Sequence, residues 1–251
     1  MDLGCGKGGD LKKFDFENIA NYVGIDISLG QLKDAVIRKT SSQIRYPALF
    51  IKASGEIESE LLFQKIPENI YFDLVSAQFC IHYFFESEAS VRRFLENVSR
   101  KLTRNGRFIA TFPDSNVIMK KLLTNYKDDE MAVYDNKYVS LMMEREDLAK
   151  ESPFGIKYGF FLDDKLIGDK IVDGDSVHII YVPEYLVVLK SFITLAREYG
   201  LEVEINENFH EFYAQNIQDN AYFGLFRKMN FGIKEELLMD EEEWDCSYLY
   251  R

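Results

Sequence analysis

The 251-residue sequence is poor in cations: 30 Lys and Arg stand against 42 Asp and Glu, a formal charge of −12. Holding long nucleic acid by its phosphates needs a basic face, so this balance argues against DNA and against extended RNA as partners. It leaves room for a terminal nucleic-acid structure gripped by a few local cations. No apolar run approaches the roughly 20 residues of a membrane span, and no signal peptide is visible. Cysteine is scarce. Cys5, Cys80 and Cys246 are scattered and lack metal-ligand spacing, which points to reduced intracellular thiols and to no metal site. Internal repeats and low-complexity linkers are absent, and no paired acid and base stands ready for dehydrogenase chemistry. The length suits one large domain, or one domain with an insertion, able to bury a substantial core.

What is present starts at the first residues, Met1-Asp2-Leu3-Gly4-Cys5-Gly6-Lys7-Gly8-Gly9-Asp10, followed by a second apolar run, Tyr22-Val23-Gly24-Ile25, that closes on Asp26. A glycine-rich turn after a strand lets backbone approach a ligand, and the next helix offers free N–H groups. An acidic residue at the end of the following strand can take both hydroxyls of a ribose. The pair reads as a nucleoside-cofactor site. In detail, Asp2-Leu3-Gly4-Cys5-Gly6-Lys7-Gly8 resembles the D-x-G-x-G-x-G loop of class I S-adenosyl-L-methionine (AdoMet) methyltransferases.

Strands and helices alternate from there. Leu11–Asn18 predicts a helix, Asn21–Asp26 a strand, and Ser28 the N-cap of a helix through Lys39 with Leu32, Ala35 and Val36 on its apolar side. Pro47–Ile51 and Tyr71–Ser76 read as strands around a helix at Glu58–Lys65. Val91, Phe94, Leu95, Val98 and Leu102 recur at helical spacing in Glu88–Leu102. Asn105-Gly106 marks a turn before a fifth strand, Arg107–Thr111. This rhythm predicts an α/β fold with a mostly parallel, doubly wound sheet and ligands beyond the strands' carboxyl ends. From about Ser115 the rhythm breaks. Val117–Asn125 reads as helix, and Met131–Ile180 as short strands with turns at Asp163-Asp164 and Asp173-Gly174-Asp175, a β-rich insertion over the mouth of the sheet. Pro183–Glu198 predicts a helix capped by Gly200, Leu201–Ile205 a strand, and Phe209–Ile217 and Ala221–Met229 helices. Asp240–Glu243 reads as a solvated loop, and Tyr248–Arg251 as part of a strand. The expected organisation is a single domain over 1–251, clipped at both ends, with an insertion at about 117–180.

At Gln78-Phe79-Cys80-Ile81-His82-Tyr83 the sequence becomes specific. With the glycine loop, this segment resembles the cellular mRNA cap (guanine-N7) methyltransferases, whose motif reads Q-F-x-x-H-Y. Thr111-Phe112-Pro113-Asp114-Ser115, Pro153-Phe154-Gly155-Ile156-Lys157-Tyr158, Val182-Pro183-Glu184-Tyr185-Leu186-Val187, Glu211-Phe212-Tyr213, Glu243-Trp244 and Tyr250 continue the pattern in order. The resemblance spans essentially the whole chain and implies a Rossmann-like class I fold with the β-rich insertion near the cap site.

It implies the following site. Asp2, Gly4, Gly6 and Asp10 shape the AdoMet pocket, Asp26 holds the ribose, and Gln78, Phe79 and Tyr83 border the cofactor. Lys7 and Arg38 neutralise the cap triphosphate. His82, Tyr83, Pro113, Tyr158, Glu184 and Tyr250 enclose the guanosine, and His82, Tyr83 and Glu184 act by position and electrostatics, not as acid or base. The implied substrate is the GpppN end of capped RNA, with other capping or transcription machinery as partners and the nucleus as compartment. Two departures stand out. The family's acidic residue after strand three is replaced by Ser54, which predicts weaker cofactor binding. The stretch Asp163–His178 is longer than the family's hairpin and has no assigned role. Two readings stay open beside this one: a class I methyltransferase acting on a small molecule or protein, discriminated by the His82–Tyr83, Glu184 and Tyr250 set, and a non-catalytic scaffold that keeps the fold.

Overall fold

A computed structural model describes every residue except 125, 127–130, 164–167, 174–175, 229–231, 234–235 and 238; at 172–173, 176–177, 232–233 and 236–237 it describes the backbone alone. The elements run β1 (Asp2–Leu3), α1 (Leu11–Phe16), β2 (Tyr22–Asp26), α2 (Leu29–Ser41), β3 (Ala48–Lys52), α3 (Ser59–Phe63), β4 (Phe72–Gln78), α4 (Ile81–Phe84), α5 (Glu88–Ser99) and β5 (Leu102–Thr111). They continue with α6 (Ser115–Thr124), β6 (Met131–Asp135), β7 (Val139–Glu144), α7 (Arg145–Leu148), β8 (Lys157–Leu162), β9 (Asp169–Asp173), β10 (Ser176–Ile180) and β11 (Val182–Tyr185). The last are α8 (Leu189–Glu198), α9 (Phe209–Asn216), α10 (Asn220–Lys228), β12 (Gly232–Ile233), β13 (Glu236–Leu237) and α11 (Glu241–Ser247). They form two compact units, Met1–Phe112 with Leu189–Glu202, and Pro113–Val188 with Val203–Arg251.

The first unit is an α/β sheet. Its five strands run in the order β3-β2-β1-β4-β5, all parallel. The order reverses direction from β1 to β4, the kind of switch point at which open parallel sheets bind ligands. Helix α5 follows its sequence pattern: Val91, Phe94, Leu95 and Val98 are fully buried, and Ser87 caps its start by accepting from Ser90 N at 3.2 Å. In α2, Ser28 accepts from Gln31 N at 3.3 Å. Leu32 and Ala35 are buried there, but Val36, expected beside them, is exposed.

The second unit is built on an antiparallel sheet in the order β11-β8-β7-β6. One face carries Val139, Leu141, Met143, Tyr158 and Phe160, packed with Ile118 and Leu122 of α6 and with Leu249. The β9–β10 hairpin pairs Asp169 with Ile180 and Ser176 with Asp173.

Several expectations are corrected. Asn105-Gly106 is no turn ahead of a strand. It lies inside β5, where the register steps from Phe72↔Leu102 to Leu74↔Arg107 and Asn105 takes a left-handed φ of 64°, so the turn signal makes a bulge. Pro183–Glu198 is not one helix. Val182–Tyr185 pairs with β8, with Pro183 opposite Gly159, and only Leu189–Glu198 is helical. β11 ends the sheet order, and an edge position tolerates a residue that lacks an N–H. Leu201–Ile205 forms no strand. Leu201 is used in closing α8: Gly200 has φ +75°, and Leu201 N donates to Ala196 O at 3.1 Å, a Schellman-type stop. Asp240–Glu243 is a helix start instead of a loop, with Asp240 accepting from Glu243 N at 2.8 Å and acidic side chains favoured in that first turn. Tyr248–Arg251 forms no strand and, among the described residues, makes the single bridge Pro113↔Tyr250. Asn125, Asp164, Gly174, Asp175 and Met229, at the ends of expected helices and turns, lie outside the described residues.

Candidate functional site

In the first unit, the loop after β1 is shaped by glycine. Gly4, Gly6 and Gly8 have φ of +73°, +51° and +69°, a region that ordinary residues avoid. A Cβ at Gly4 would stand 2.9 Å from both Cβ and Sγ of Cys80, so the loop lies directly on the β4–α4 connection, where Cys80 also donates to Leu3 O at 3.2 Å. Asp26, at the carboxyl end of β2, is aimed by backbone: Gly6 N donates to its Oδ2 and Ser28 N to its Oδ1, both at 2.8 Å. Each oxygen keeps a lone pair for a ligand hydroxyl. The spacing of the glycine loop and Asp26 is thus realised as a direct contact.

Asp2 is buried, and the Tyr22 hydroxyl donates to its Oδ2 at 2.6 Å. Burial pushes the Asp2 carboxyl up to about 6, with the Tyr22 hydrogen bond opposing. Asp10 heads α1 and pairs with Lys13 at 2.6 Å. At the end of β4, Gln78 is pinned on both sides, donating to Ser76 Oγ at 3.1 Å and accepting from Thr111 Oγ1 at 2.9 Å. Phe79 follows with a left-handed φ of 53° and a half-exposed ring. Such a conformation in a bulky residue is strained and is held here by Phe79 N donating to Thr111 O at 2.9 Å. Tyr83 is exposed, whereas His82 beside it is buried and packs against it with the rings tilted by 54° at a centroid distance of 4.2 Å. Burial pushes His82 down to about 3, so its ring is neutral at physiological pH. Lys7 is paired with Asp34 at 3.6 Å, both side chains half exposed. A contact so wet is weak and exchangeable. Arg38 lies exposed on α2. Ser54 is half-buried, and its hydroxyl accepts a long bond from Glu56 N at 3.4 Å.

The second unit joins Tyr158 and Glu184. They are opposite residues in the β8–β11 register, each only 1% exposed, and the Tyr158 hydroxyl donates to Glu184 Oε2 at 2.6 Å. Burial pushes the Glu184 carboxyl up to about 7, and the tyrosine hydrogen bond pulls the other way. Pro113 bridges to Tyr250. Around them Asp114 N donates to Leu249 O at 2.6 Å, and Asp114 accepts from Arg251 Nη2 at 2.8 Å. Tyr250 O also takes Phe209 N at 3.0 Å. A cleft of about 300 Å³ is lined by Met142, Met143, Tyr158, Gly159, Tyr181 and Pro183 among others. Gly159 and Pro183 alternate with Tyr158 and Glu184 along their strands and so face the opposite side of the sheet.

The structure therefore joins Gly6 to Asp26, His82 to Tyr83, Tyr158 to Glu184, and Pro113 to Tyr250. Sequence reasoning missed three supports: Tyr22 on Asp2, Asp34 on Lys7, and Asn97, a fully buried amide in the apolar face of α5. Only Asn97 left a sequence signal, a polar residue in the middle of Phe94-Leu95-Glu96-Asn97-Val98.

The chain matches, over residues 1–251, the model of the mRNA (guanine-N(7))-methyltransferase domain. It is 36% identical to mRNA cap guanine-N(7) methyltransferase 1 of Oryza sativa subsp. japonica, over all of this chain and 66% of that protein. It is 35% identical to the mRNA cap guanine-N(7) methyltransferase of Saccharomyces cerevisiae, over 86% of this chain and 49% of that protein. It thus spans under two thirds of these relatives' lengths. Among solved structures, the CcbJ methyltransferase from Streptomyces caelestis superposes with a TM-score of 0.54 at 10% identity, covering 81% of this chain and 72% of that one. This likeness bears on the fold alone, a Rossmann-like class I methyltransferase fold. Loop, ordered motifs and whole-length match agree: the chain belongs to the mRNA (guanine-N(7))-methyltransferase domain family.

Proposed function

We propose that this chain methylates N7 of the guanine in the GpppN cap at the 5′ end of RNA, with AdoMet as methyl donor. The observation that carries this reading is the buried Tyr158–Glu184 pair. A carboxylate kept from water suits a ligand that presents adjacent N–H donors, as guanine does at N1 and its exocyclic amine. The donor fits the first unit, where the Gly4–Gly8 loop presents bare backbone and Asp26 is aimed by two N–H groups. Asp2, Gly4, Gly6, Asp10, Asp26, Ser54, Gln78, Phe79 and Tyr83 hold it. When bound, AdoMet supplies an electrophilic methyl on a sulfonium.

The acceptor N7 has a lone pair at neutral pH, so no side chain has to remove a proton. Rate comes from orientation and electrostatics. Methylation leaves positive charge on the guanine ring, and an ionised Glu184 against N1–H strengthens its hold as that charge grows. His82, neutral through burial, adds no opposing charge. The exposed face of Tyr83 favours a cationic neighbour. Lys7 releases Asp34 to meet the triphosphate together with Arg38, and Pro113, Tyr158, Glu184 and Tyr250 contact the guanosine. The domain is read as one methyltransferase unit of function over 1–251, with 117–180 inserted. Capping or transcription proteins are its further partners, and the nucleus its compartment.

The test is methyl transfer from labelled AdoMet to GpppA, beside GTP, uncapped RNA and a protein mixture. Label at guanine N7 of GpppA is expected. Tight AdoMet binding without label on GpppA would leave a methyltransferase of another substrate, a small molecule or a protein.

A further inference from the structure

The order β3-β2-β1-β4-β5 gives a nucleoside cofactor a direction. With its ribose on Asp26 at the end of β2, its reactive end is taken toward β4, which Gln78 closes and beyond which Phe79 and Tyr83 lie. Its base must then extend the other way, over the end of β3. That end adjoins Asp26, since Ala53 N donates to Asp26 O at 3.0 Å. With that orientation, loop 53–57 is the surface that would meet the base.

This loop holds no carboxylate aimed at a ligand. Glu56 is engaged elsewhere: Ser90 Oγ donates to its Oε2, Arg93 Nη2 lies 3.4 Å from the same oxygen, and Arg93 Nε donates to Glu56 O at 3.1 Å. The loop is instead fastened from beneath. Asn97 is 0% exposed. Its Nδ2 donates to Gly55 O at 2.9 Å and to Ile57 O at 2.8 Å, and its Oδ1 accepts from Ser59 Oγ at 2.7 Å. A buried amide in an apolar helix face is tolerated only when satisfied, and both N–H donors of this one are spent on one loop. From the side, a Cβ on Gly55 would meet Phe84 Cζ at 2.7 Å, so the loop lies flat on that ring. Ser54 is half-buried and Gly55 buried; the Ser54 hydroxyl has only the long contact from Glu56 N, and the N–H groups of Ser54 and Gly55 meet no backbone acceptor among the described residues.

We propose that Asn97 is a positioning residue for recognition of the cofactor's base: it fixes loop 53–57 so that the backbone N–H groups and hydroxyl of Ser54 and Gly55's N–H read the purine edge in place of a carboxylate. The proposal rests on the AdoMet reading. Fixed N–H donors favour the N1 acceptor of a 6-aminopurine over the N1–H of a 6-oxopurine, because an unmatched donor pair leaves both groups without partners.

The experiment is calorimetric titration of the protein with S-adenosyl-L-homocysteine and with its 6-oxo analogue, S-inosyl-L-homocysteine, alongside thermal unfolding. The unsubstituted protein should prefer the amino form by about tenfold or more, the scale of a lost buried hydrogen bond to a fixed donor. Asn97→Ala should weaken the amino form and bring the two ligands to within about threefold, since a loop free to relax reads neither edge. Asn97→Ala that lowers thermal stability but keeps the preference would make Asn97 structural only and overturn the proposal. If Asn97→Ala does not fold, Ser59→Ala removes only the hydroxyl that orients the amide, and an unchanged preference there overturns the proposal equally. Equal binding of both ligands by the unsubstituted protein would sink the base reading and leave AdoMet binding intact. Binding of neither would sink the AdoMet reading itself.

Discussion

The two units each hold a carboxylate in place, and do so by opposite means. In the first, Asp26 is aimed by the N–H groups of Gly6 and Ser28, donors fixed by chain geometry, and it stays half-buried at a strand end. In the second, Glu184 is buried against the Tyr158 hydroxyl, and burial raises its proton affinity to about 7. A backbone-built site is rigid and keeps its chemistry whatever the side chains nearby. A burial-built site is tunable, and it sacrifices stability to hold a group that water would serve better. The comparison can be broken at either end.

The largest effect is expected at the loop. In Gly4→Ala the new Cβ meets Cys80 at 2.9 Å in a backbone region of φ +73°. The left-handed penalty alone is about 1–2 kcal/mol, and overpacking adds about 1–3 kcal/mol. AdoMet affinity should fall about a hundredfold, since a loss near 2.7 kcal/mol corresponds to that factor, while the cap analogue GpppA still binds. Calorimetry with both ligands checks this, and intact AdoMet binding would show that the loop is not the cofactor's seat. Next comes the exchange of carboxylates. Glu184→Ala should cut cap methylation tenfold or more, the cost of a charged hydrogen bond being about 1.5–3 kcal/mol, and leave AdoMet affinity unchanged. Asp26→Ala should do the reverse in binding, weakening S-adenosylhomocysteine and sparing GpppA. Activity of Glu184→Ala within about threefold of the parent would remove Glu184 from guanine reading.

The same contrast explains what was legible in the sequence. The parallel sheet, α5 and the Gly6–Asp26 contact rest on local periodicity and on spacing along consecutive elements, so they could be read directly. The Tyr158–Glu184 pair joins residues 26 apart in the chain and depends on a strand register that no local pattern announces; resemblance named both residues, but not their bond. Pro183–Glu198 was misread because an apolar run behind a proline fits a helix start as well as an edge strand. Asp240 was misread because a run of acidic residues looks like a solvated loop, although the same residues suit a helix N-terminus. Lys7 could be read as a cation within the glycine loop, but its pairing with Asp34 needed the fold. The support of Asn97 was hidden for the same reason, since its partners Gly55, Ile57 and Ser59 lie some 40 residues earlier.

The smallest effect sharpens the comparison most, because it separates burial from function. In the folded protein Glu184 keeps its proton up to about 7, against an ordinary value of 4.5. Between those values the native state binds more protons than the unfolded chain, so stability from this group is full below 4.5 and is lost as pH rises through about 7. Glu184→Gln keeps the shape and an oxygen for the Tyr158 hydroxyl but cannot titrate. Relative to that variant, the unsubstituted protein should lose roughly 1 kcal/mol for each pH unit from 5 to 7, then level off. Asp2, whose carboxyl is also pushed up, to about 6, titrates in both proteins and cancels in the difference. Urea unfolding of the pair at several pH values measures it. A difference that stays flat would mean that Glu184 is not held in a dry environment, and the argument for guanine reading from burial would go with it. A difference that widens, in a variant that gains stability above neutral pH and loses cap methylation, would show that the carboxylate is kept for its ligand at the fold's expense.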